Sequence, residues 1–207
     1  MSRVRIKICG ITRLADALLA ARLGADALGF NFWPGSKRFV DPDAARAIVD
    51  LLPPFVTPVG VFVNQPAGEV LATAARAGLA AVQLHGDEGW DEVNGFPIPA
   101  LKALRVTGPG SLADMHRYRV RGFVLDAPSA GYGGSGATFD WAVARDAALR
   151  APVLLAGGLT PENVGEAIRA VRPYGVDVAS GVESARGVKD PDKLRRFIEA
   201  AREEDLP

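Results

Sequence analysis

The chain has 207 residues, 48% of them hydrophobic and 23% charged, the balance of a globular protein long enough for one or two domains with a sizeable core. Its 24 Lys and Arg match 24 Asp and Glu, which removes the electrostatic footprint of a nucleic-acid binder. One cysteine and two histidines exclude an internal disulfide and any zinc-binding spacing. No apolar run approaches the roughly 18 residues that cross a bilayer, and no signal-peptide core follows Met-Ser, so the expected address is the cytoplasm.

The first predicted strand, Arg3 to Cys9, carries Arg5, Lys7 and Cys9 on one face and Val4, Ile6 and Ile8 on the other, because side chains alternate along a strand. A strand covered by helices on both faces should be apolar on both. One face here holds two cations and a thiol, so that face is expected to look into a lined barrel interior. A helix opening near Thr12 would set Cys9 just ahead of its N-terminus, where a thiol's pKa falls. The bland alternative is that Cys9 is a small buried hydrophobe.

Helix Leu14 to Leu23 follows, with Leu14, Leu18 and Ala21 on one stripe and Gly24 as its stop. Asp26 to Phe32 is a strand, and Asp41-Pro42 opens a helix as cap and first residue. Strand Thr57 to Val63 leads through Gln65-Pro66 into a helix ending at Ala77, before Gly78. Ala80 to Leu84 is a strand, followed by a short helix to about Asn94. Ile98 to Leu104 is a weaker strand, and Ser111 to Tyr118 a short helix. Strand Gly122 to Asp126 runs into a glycine-rich loop, Ala127 to Ala137, and then helix Phe139 to Leu149. Strand Pro152 to Ala156 precedes a helix opened by Thr160-Pro161 and running to Val171. Val176 to Ala179 is the last strand, and Asp190-Pro191 opens the last helix, to about Glu203.

Strand and helix alternate strictly, which means parallel strands. Eight such units over residues 1–207 predict a single-domain α/β fold, a (β/α)8 TIM barrel near the lower length limit. A doubly wound open sheet is the runner-up.

Function in such a barrel sits at the strands' carboxyl ends. Those ends read Cys9, Asn31, Val63-Asn64, Gln83 with His85, Arg105, Asp126, Gly157-Gly158 and Ser180-Gly181. The loops after the seventh and eighth strands are the usual phosphate site of the fold. Here Gly157-Gly158 and Ser180-Gly181 offer bare backbone N–H groups and one hydroxyl, against the plainer reading of two tight turns. Glu183 is an awkward neighbour for an anion, so its carboxylate is expected to point elsewhere. The loop Gly131 to Thr138 matches G-x-G-x-x-G in letters, but it lies in the sixth unit with no acid some 20 residues on, and Ala137 stands where a P-loop needs lysine. A lid over the site is the better reading, and a plain connection the alternative. His85 is either an acid–base group or a hydrogen-bonded structural residue. Lys102 is either an imine-forming lysine or a paired interior one. The tryptophans read as packing residues. Arg38, beside Lys37, is either solvated or a bidentate clamp for a carboxylate.

Taken together, Lys7-Ile8-Cys9-Gly10-Ile11-Thr12, Gly29-Phe30 with Ser36-Lys37-Arg38, Val61-Phe62-Val63-Asn64, Gln83-Leu84-His85-Gly86, Gly133-Gly134-Ser135-Gly136 with Phe139-Asp140-Trp141, Ala156-Gly157-Gly158-Leu159 and Asp177-Val178-Ala179-Ser180-Gly181-Val182-Glu183 resemble the phosphoribosylanthranilate isomerases of tryptophan biosynthesis. The resemblance covers the whole chain in order. One departure is Ala137, where the family's lid often carries lysine. The resemblance implies an Amadori rearrangement of N-(5-phosphoribosyl)anthranilate to 1-(2-carboxyphenylamino)-1-deoxyribulose 5-phosphate. It implies Cys9 as general base and Asp126 as general acid. Arg38 would hold the anthranilate carboxylate, Gly157, Gly158, Ser180 and Gly181 the phosphate, with Gln83, His85 and Asp177 also lining the substrate. No metal or organic cofactor is implied, because the substrate's own imine nitrogen is the electron sink. The small-molecule phosphorylated substrate is the expected partner, without nucleic acid or membrane, and a homodimer is compatible with the sequence.

The expected topology agrees with this pairing of roles. Strands one and six stand three steps apart around an eight-membered ring, so Cys9 and Asp126 would face a substrate from nearly opposite sides. Strands eight and one are neighbours, so a Lys7–Asp177 ion pair is expected inside the barrel. An exposed aspartate titrates near ~3.9, so an acid at Asp126 requires desolvation or the substrate's own anions. Two other classes stay open: a phosphosugar aldolase using Lys7 or Lys102 as an imine, and a non-catalytic phosphosugar-binding barrel.

Overall fold

The sheet closes on itself. In the computed structural model, which describes residues 3–127 and 141–204, eight strands pair in chain order and the last returns to the first. They are β1 (Arg5–Cys9), β2 (Ala27–Asn31), β3 (Thr57–Phe62), β4 (Ala81–Leu84), β5 (Ala100–Arg105), β6 (Gly122–Asp126), β7 (Val153–Leu155) and β8 (Gly175–Val178). Outside them lie α1 (Leu14–Leu23), α2 (Pro42–Val49), α3 (Ala67–Ala77), α4 (Trp90–Val93), α5 (Trp141–Ala148), α6 (Val164–Val171) and α7 (Pro191–Glu203). Every barrel pairing is parallel, and Lys7 of β1 stands opposite Asp177 of β8.

Local chemistry explains the helix limits. Asp41 and Asp190 accept hydrogen bonds from the first-turn N–H groups of α2 and α7, with Pro42 and Pro191 next in line. Gly24 and Gly78 end α1 and α3 in the left-handed conformation, which glycine adopts without steric cost. Strand limits fall within two residues of the periodicity-based expectation: β1, β2, β3, β4 and β7 are shorter, β6 is as expected, and β5 and β8 are shifted. The predicted helix at Ser111–Tyr118 is a 3₁₀ helix over Pro109–Arg117. Helix α6 starts at Val164 rather than at Thr160-Pro161. The Asn163 side chain explains this: it accepts from the Thr160 N–H at 2.8 Å and donates to the Gly158 carbonyl at 2.9 Å, holding the chain out of helix. After β8 come a 3₁₀ turn, Ser180–Val182, and a small antiparallel hairpin, β9 (Glu183–Ala185) and β10 (Val188–Lys189), neither of which the periodicity predicts. The predicted lid, Gly131 to Thr138, lies outside the described residues.

Two cores result from the alternation of side chains. The outer core packs Val4 just ahead of β1, Ile6 and Ile8 of β1, Phe123 and Leu125 of β6, and Val176 and Val178 of β8 against the helices. The inner core is small: Ala103, Val124, Leu154 and Ala156 fill the β5–β7 side of the barrel. Across from them the inner wall carries Lys7, Gln83 and Asp177, all buried. A polar half-interior is costly unless its groups are paired, and that pairing builds the site.

Candidate active site

One cavity of about 370 Å³ opens at the carboxyl ends of the strands, within the usual size for a small-molecule site. The ten residues to which the resemblance gives a catalytic or binding role line it: Cys9, Arg38, Gln83, His85, Asp126, Gly157, Gly158, Asp177, Ser180 and Gly181; the strand-end residues Asn64 and Arg105 do not. Asn31, Trp33, Lys37 and Arg186 line it too. Trp33 therefore corrects the expectation that the tryptophans only pack.

Cys9 ends β1 partly buried. Gly29 opposite it on β2 is required, because a Cβ there would sit 2.8 Å from the thiol sulfur and 3.2 Å from Lys7 Nζ. The expected lowering of the thiol's pKa does not occur. Burial pushes the Cys9 thiol up, and Asp177 adds to that, while the Lys7 and Lys189 ammonium groups pull it down and lose. Burial is the main cause, and no helix end opposes it, because α1 begins only at Leu14, beyond reach of the short-ranged helix-end field.

Lys7 supplies the compensation. Its Nζ donates to Asp177 Oδ1 at 2.9 Å, with both side chains buried, which is the pair expected from the topology. Burial opposes the Lys7 charge, but Asp177 and Cys9 outweigh it and hold the ammonium's pKa up. An imine-forming lysine needs the reverse shift. Lys102 is equally committed: it lies on the outward face with Ala100 and Leu104 and donates to Glu88 Oε2 at 2.6 Å and the Gly86 carbonyl at 2.8 Å. Both residues argue against the aldolase alternative.

Asp126 ends β6 across the barrel. Its Oδ1 accepts from the Ala127 N–H at 2.9 Å, and Oδ2 lies 3.4 Å from His85 Nε2. Gln83 Nε2 lies 2.7 Å from His85 Nδ1. With the amide donating there, the neutral imidazole keeps its proton on Nε2, facing Asp126. Gln83 Oε1 is buried without a hydrogen-bond partner among the described residues. Gly157, with φ +76°, makes room for this corner, since a Cβ would come within 2.9 Å of Asp126 Oδ1.

The two glycine loops touch. A Cβ on Gly181 would overlap the Leu159 carbonyl oxygen, so only glycine lets the loops after β7 and β8 meet. Gly157 and Gly158 both have positive φ and line the cavity, and the Asn163 amide donates to the Gly158 carbonyl. Successive N–H groups so arranged form an anion cradle. Asn163 is the residue that sequence reasoning missed here; its place two residues after Pro161 is the only available signal.

Glu183 does point away from the cradle. Its carboxylate takes a bidentate hold on Arg38, with Nε–Oε1 and Nη2–Oε2 both 2.7 Å. Lys189 Nζ adds a contact to Oε1 at 3.1 Å while also donating to the Cys9 and Ala179 carbonyls. Burial works against the Glu183 charge, but Arg38 and Lys189 overcome it and hold its carboxyl below the usual range. Glu183 uses the Nε–Nη2 edge of the guanidinium and leaves the Nη1–Nη2 edge for a second carboxylate.

The comparisons with known proteins follow this geometry. A family model described as N-(5'phosphoribosyl)anthranilate (PRA) isomerase matches residues 6–200. The N-(5'-phosphoribosyl)anthranilate isomerase of Myxococcus xanthus is 50% identical over 208 residues, covering 98% of each chain. The phosphoribosyl anthranilate isomerase of Thermotoga maritima superposes with a TM-score of 0.92 at 46% identity, covering 97% of this chain and 99% of that one, and a further structure describes monomers generated from that dimeric protein. A phosphoribosyl anthranilate isomerase in complex with reduced 1-(o-carboxyphenylamino)-1-deoxyribulose 5-phosphate superposes at 0.88 with 43% identity, over 97% of this chain and 99% of that one.

Proposed function

The chain belongs to the N-(5'-phosphoribosyl)anthranilate isomerase family, and from that premise we propose that it isomerises N-(5-phosphoribosyl)anthranilate to 1-(2-carboxyphenylamino)-1-deoxyribulose 5-phosphate with Cys9 as general base and Asp126 as general acid. The observation that supports the roles is that a thiol on β1 and a carboxyl on β6 line one cavity, together with the glycine loops at Gly157-Gly158 and Ser180-Gly181 and the Arg38 guanidinium. Asp126 protonates the furanose ring oxygen as the bond from that oxygen to C1′ breaks, and the anthranilate nitrogen lone pair forms the imine. The Cys9 thiolate removes the C2′ proton, and the released electron pair makes an enolamine as the imine electrons return to nitrogen. Protonation at C1′ with loss of the C2′ hydroxyl proton to solvent then leaves the C2′ ketone. C2′ is oxidised and C1′ reduced within one molecule, so the electrons balance without a cofactor. Fluorescence decay of phosphoribosylanthranilate with the purified chain tests the reading; decay no faster than the protein-free blank overturns it.

Arg38 holds the anthranilate carboxylate through its free edge. Arg38→Ala is expected to raise KM with little change in kcat, because a carboxylate held equally in ground and transition states is uniform binding. A pure kcat loss contradicts the clamp. The phosphate lies in the cradle of Gly157, Gly158, Ser180 and Gly181, so inorganic phosphate is expected to compete with substrate, and Gly158→Val to abolish that competition. Equal competition against both proteins puts the phosphate elsewhere.

The enzyme works in the cytoplasm, and no helix among the described residues is long and apolar enough to cross a membrane. It pairs with a second copy through the end of the barrel opposite the site. There the α2–β3 segment exposes Leu51 and Phe55, the latter 94% exposed, and large apolar side chains this open mark contact surfaces. Sedimentation equilibrium should give twice the 21.8 kDa of one chain; a single-chain mass rejects the dimer.

A further inference from the structure

The charges around the cavity mouth do not balance as the carboxylate clamp alone would need. Glu183 holds the Nε–Nη2 edge of Arg38 and is shared with Lys189 Nζ, 3.1 Å from Oε1. A carboxylate docking on the remaining edge of Arg38 therefore meets a guanidinium whose field Glu183 partly offsets. Two cations of the lining, Lys37 and Arg186, have no hydrogen-bond or ion-pair partner among the described residues. Arg186 occupies the two-residue turn with Gly187 that joins β9 to β10.

The turn is anchored on the Arg38 side of the cavity. Thr12 Oγ1 donates to the Gly187 carbonyl at 2.6 Å, and the Gly187 N–H reaches Glu183 Oε1 at 3.4 Å. That oxygen is the one that Arg38 Nε holds. A Cβ on Gly187, whose φ is +76°, would meet Thr12 Oγ1 at 3.3 Å and the Lys37 carbonyl at 3.9 Å. The turn thus sits between the β1–α1 loop and the Ser36–Arg38 loop, with its backbone fixed from both sides. The Arg186 side chain is exposed and lines the cavity.

We propose that Arg186 is a binding and specificity-determining residue that grips the substrate's aryl carboxylate together with Arg38, adding positive charge beside a guanidinium that Glu183 already engages. The proposal rests on the isomerase reading above and adds to it a residue from outside the eight strand ends. Arg38 fixes where the carboxylate lies, being rigidly held; Arg186 supplies charge and a second fork of donors. A rim cation of this kind acts on encounter and on discrimination between charged and uncharged ligands more than on the chemical step.

The test uses the full chain as wild type, Arg186→Gln and Arg186→Lys, with three probes: reduced 1-(o-carboxyphenylamino)-1-deoxyribulose 5-phosphate, the same compound lacking its carboxyl group, and inorganic phosphate. Arg186→Gln is expected to bind the carboxylated compound about three- to tenfold more weakly at low salt and to lose part of its salt dependence. Its affinity for the other two probes should match wild type, its KM should rise by a similar factor, and kcat should hold. Arg186→Lys should recover part of the loss. Unchanged affinity of Arg186→Gln for the carboxylated compound overturns the proposal. So does an equal weakening for all three probes, which would mark a general field or a phosphate contact. In either case wild-type turnover leaves the isomerase reading standing. A wild type that neither binds the carboxylated compound nor turns over substrate overturns the isomerase reading, and the proposal with it.

Discussion

Cys9→Ala is expected to lose roughly 10²–10⁴-fold or more in turnover, the range for removal of a general base, while its affinity for a stable product analogue stays near wild type. Alanine at this position leaves Gly29 and the Lys7–Asp177 pair in place, so the fold is not at stake. What disappears is the acceptor for the C2′ proton. The base has to be the thiolate, and burial holds the thiol's pKa above its ordinary value. The protonated, inactive form therefore persists to higher pH than in a free thiol, and kcat/KM should still be climbing through the mildly alkaline range. Lys7 pulls the thiol the other way, so Lys7→Met should move that rising limb further up. Near-normal turnover of Cys9→Ala by the fluorescence assay sinks the assignment. A pH profile flat from neutral to alkaline pH removes the thiolate from the rate law.

Much of the fold was legible because its signals are local. Gly24 and Gly78 stop helices by backbone conformation alone, and Asp41-Pro42 and Asp190-Pro191 start them by capping alone. The polar face of β1 announced a lined interior, since Lys7 had to be paired across strands and Asp177 was the acid in register. What escaped was of two kinds. The hairpin β9–β10 has strands of three and two residues, too short for any alternation to show. The other kind is pairing across long stretches of chain. Arg38 and Glu183 are 145 residues apart, and nothing near either names the other.

The same division runs through the site. Strand ends and the loops that follow them put the ten residues assigned by resemblance around one cavity, because in this fold those segments meet at the carboxyl face of the barrel; Arg105, at the end of β5, lines a different cavity. Side-chain commitments decide the rest. Glu183 was expected to turn away from the phosphate but not to claim an edge of Arg38. The Cys9 thiol was placed correctly and its titration misjudged, because burial in the barrel mouth outweighs a helix end that begins at Leu14.

Asp126→Asn is the sharper of the two expectations. Asparagine keeps the shape and can still accept the Ala127 N–H that Asp126 Oδ1 now holds at 2.9 Å. Its amide has no proton to deliver to the furanose oxygen. Turnover of the closed-ring substrate should fall by roughly 10²–10⁴-fold, with the product analogue bound as by wild type, because ring opening and not binding has lost its acid. His85 is the competing donor: its Nε2 lies 3.4 Å from Asp126 Oδ2, and that nitrogen carries a proton when the Gln83 amide donates to Nδ1. The two assignments separate by paired substitution. If Asp126 is the acid, His85→Asn should cost less than Asp126→Asn, since removing the imidazole only loosens the carboxyl's orientation. If Asp126→Asn keeps most of its turnover while His85→Asn loses it, the acid is His85, and Asp126 is the group that positions it.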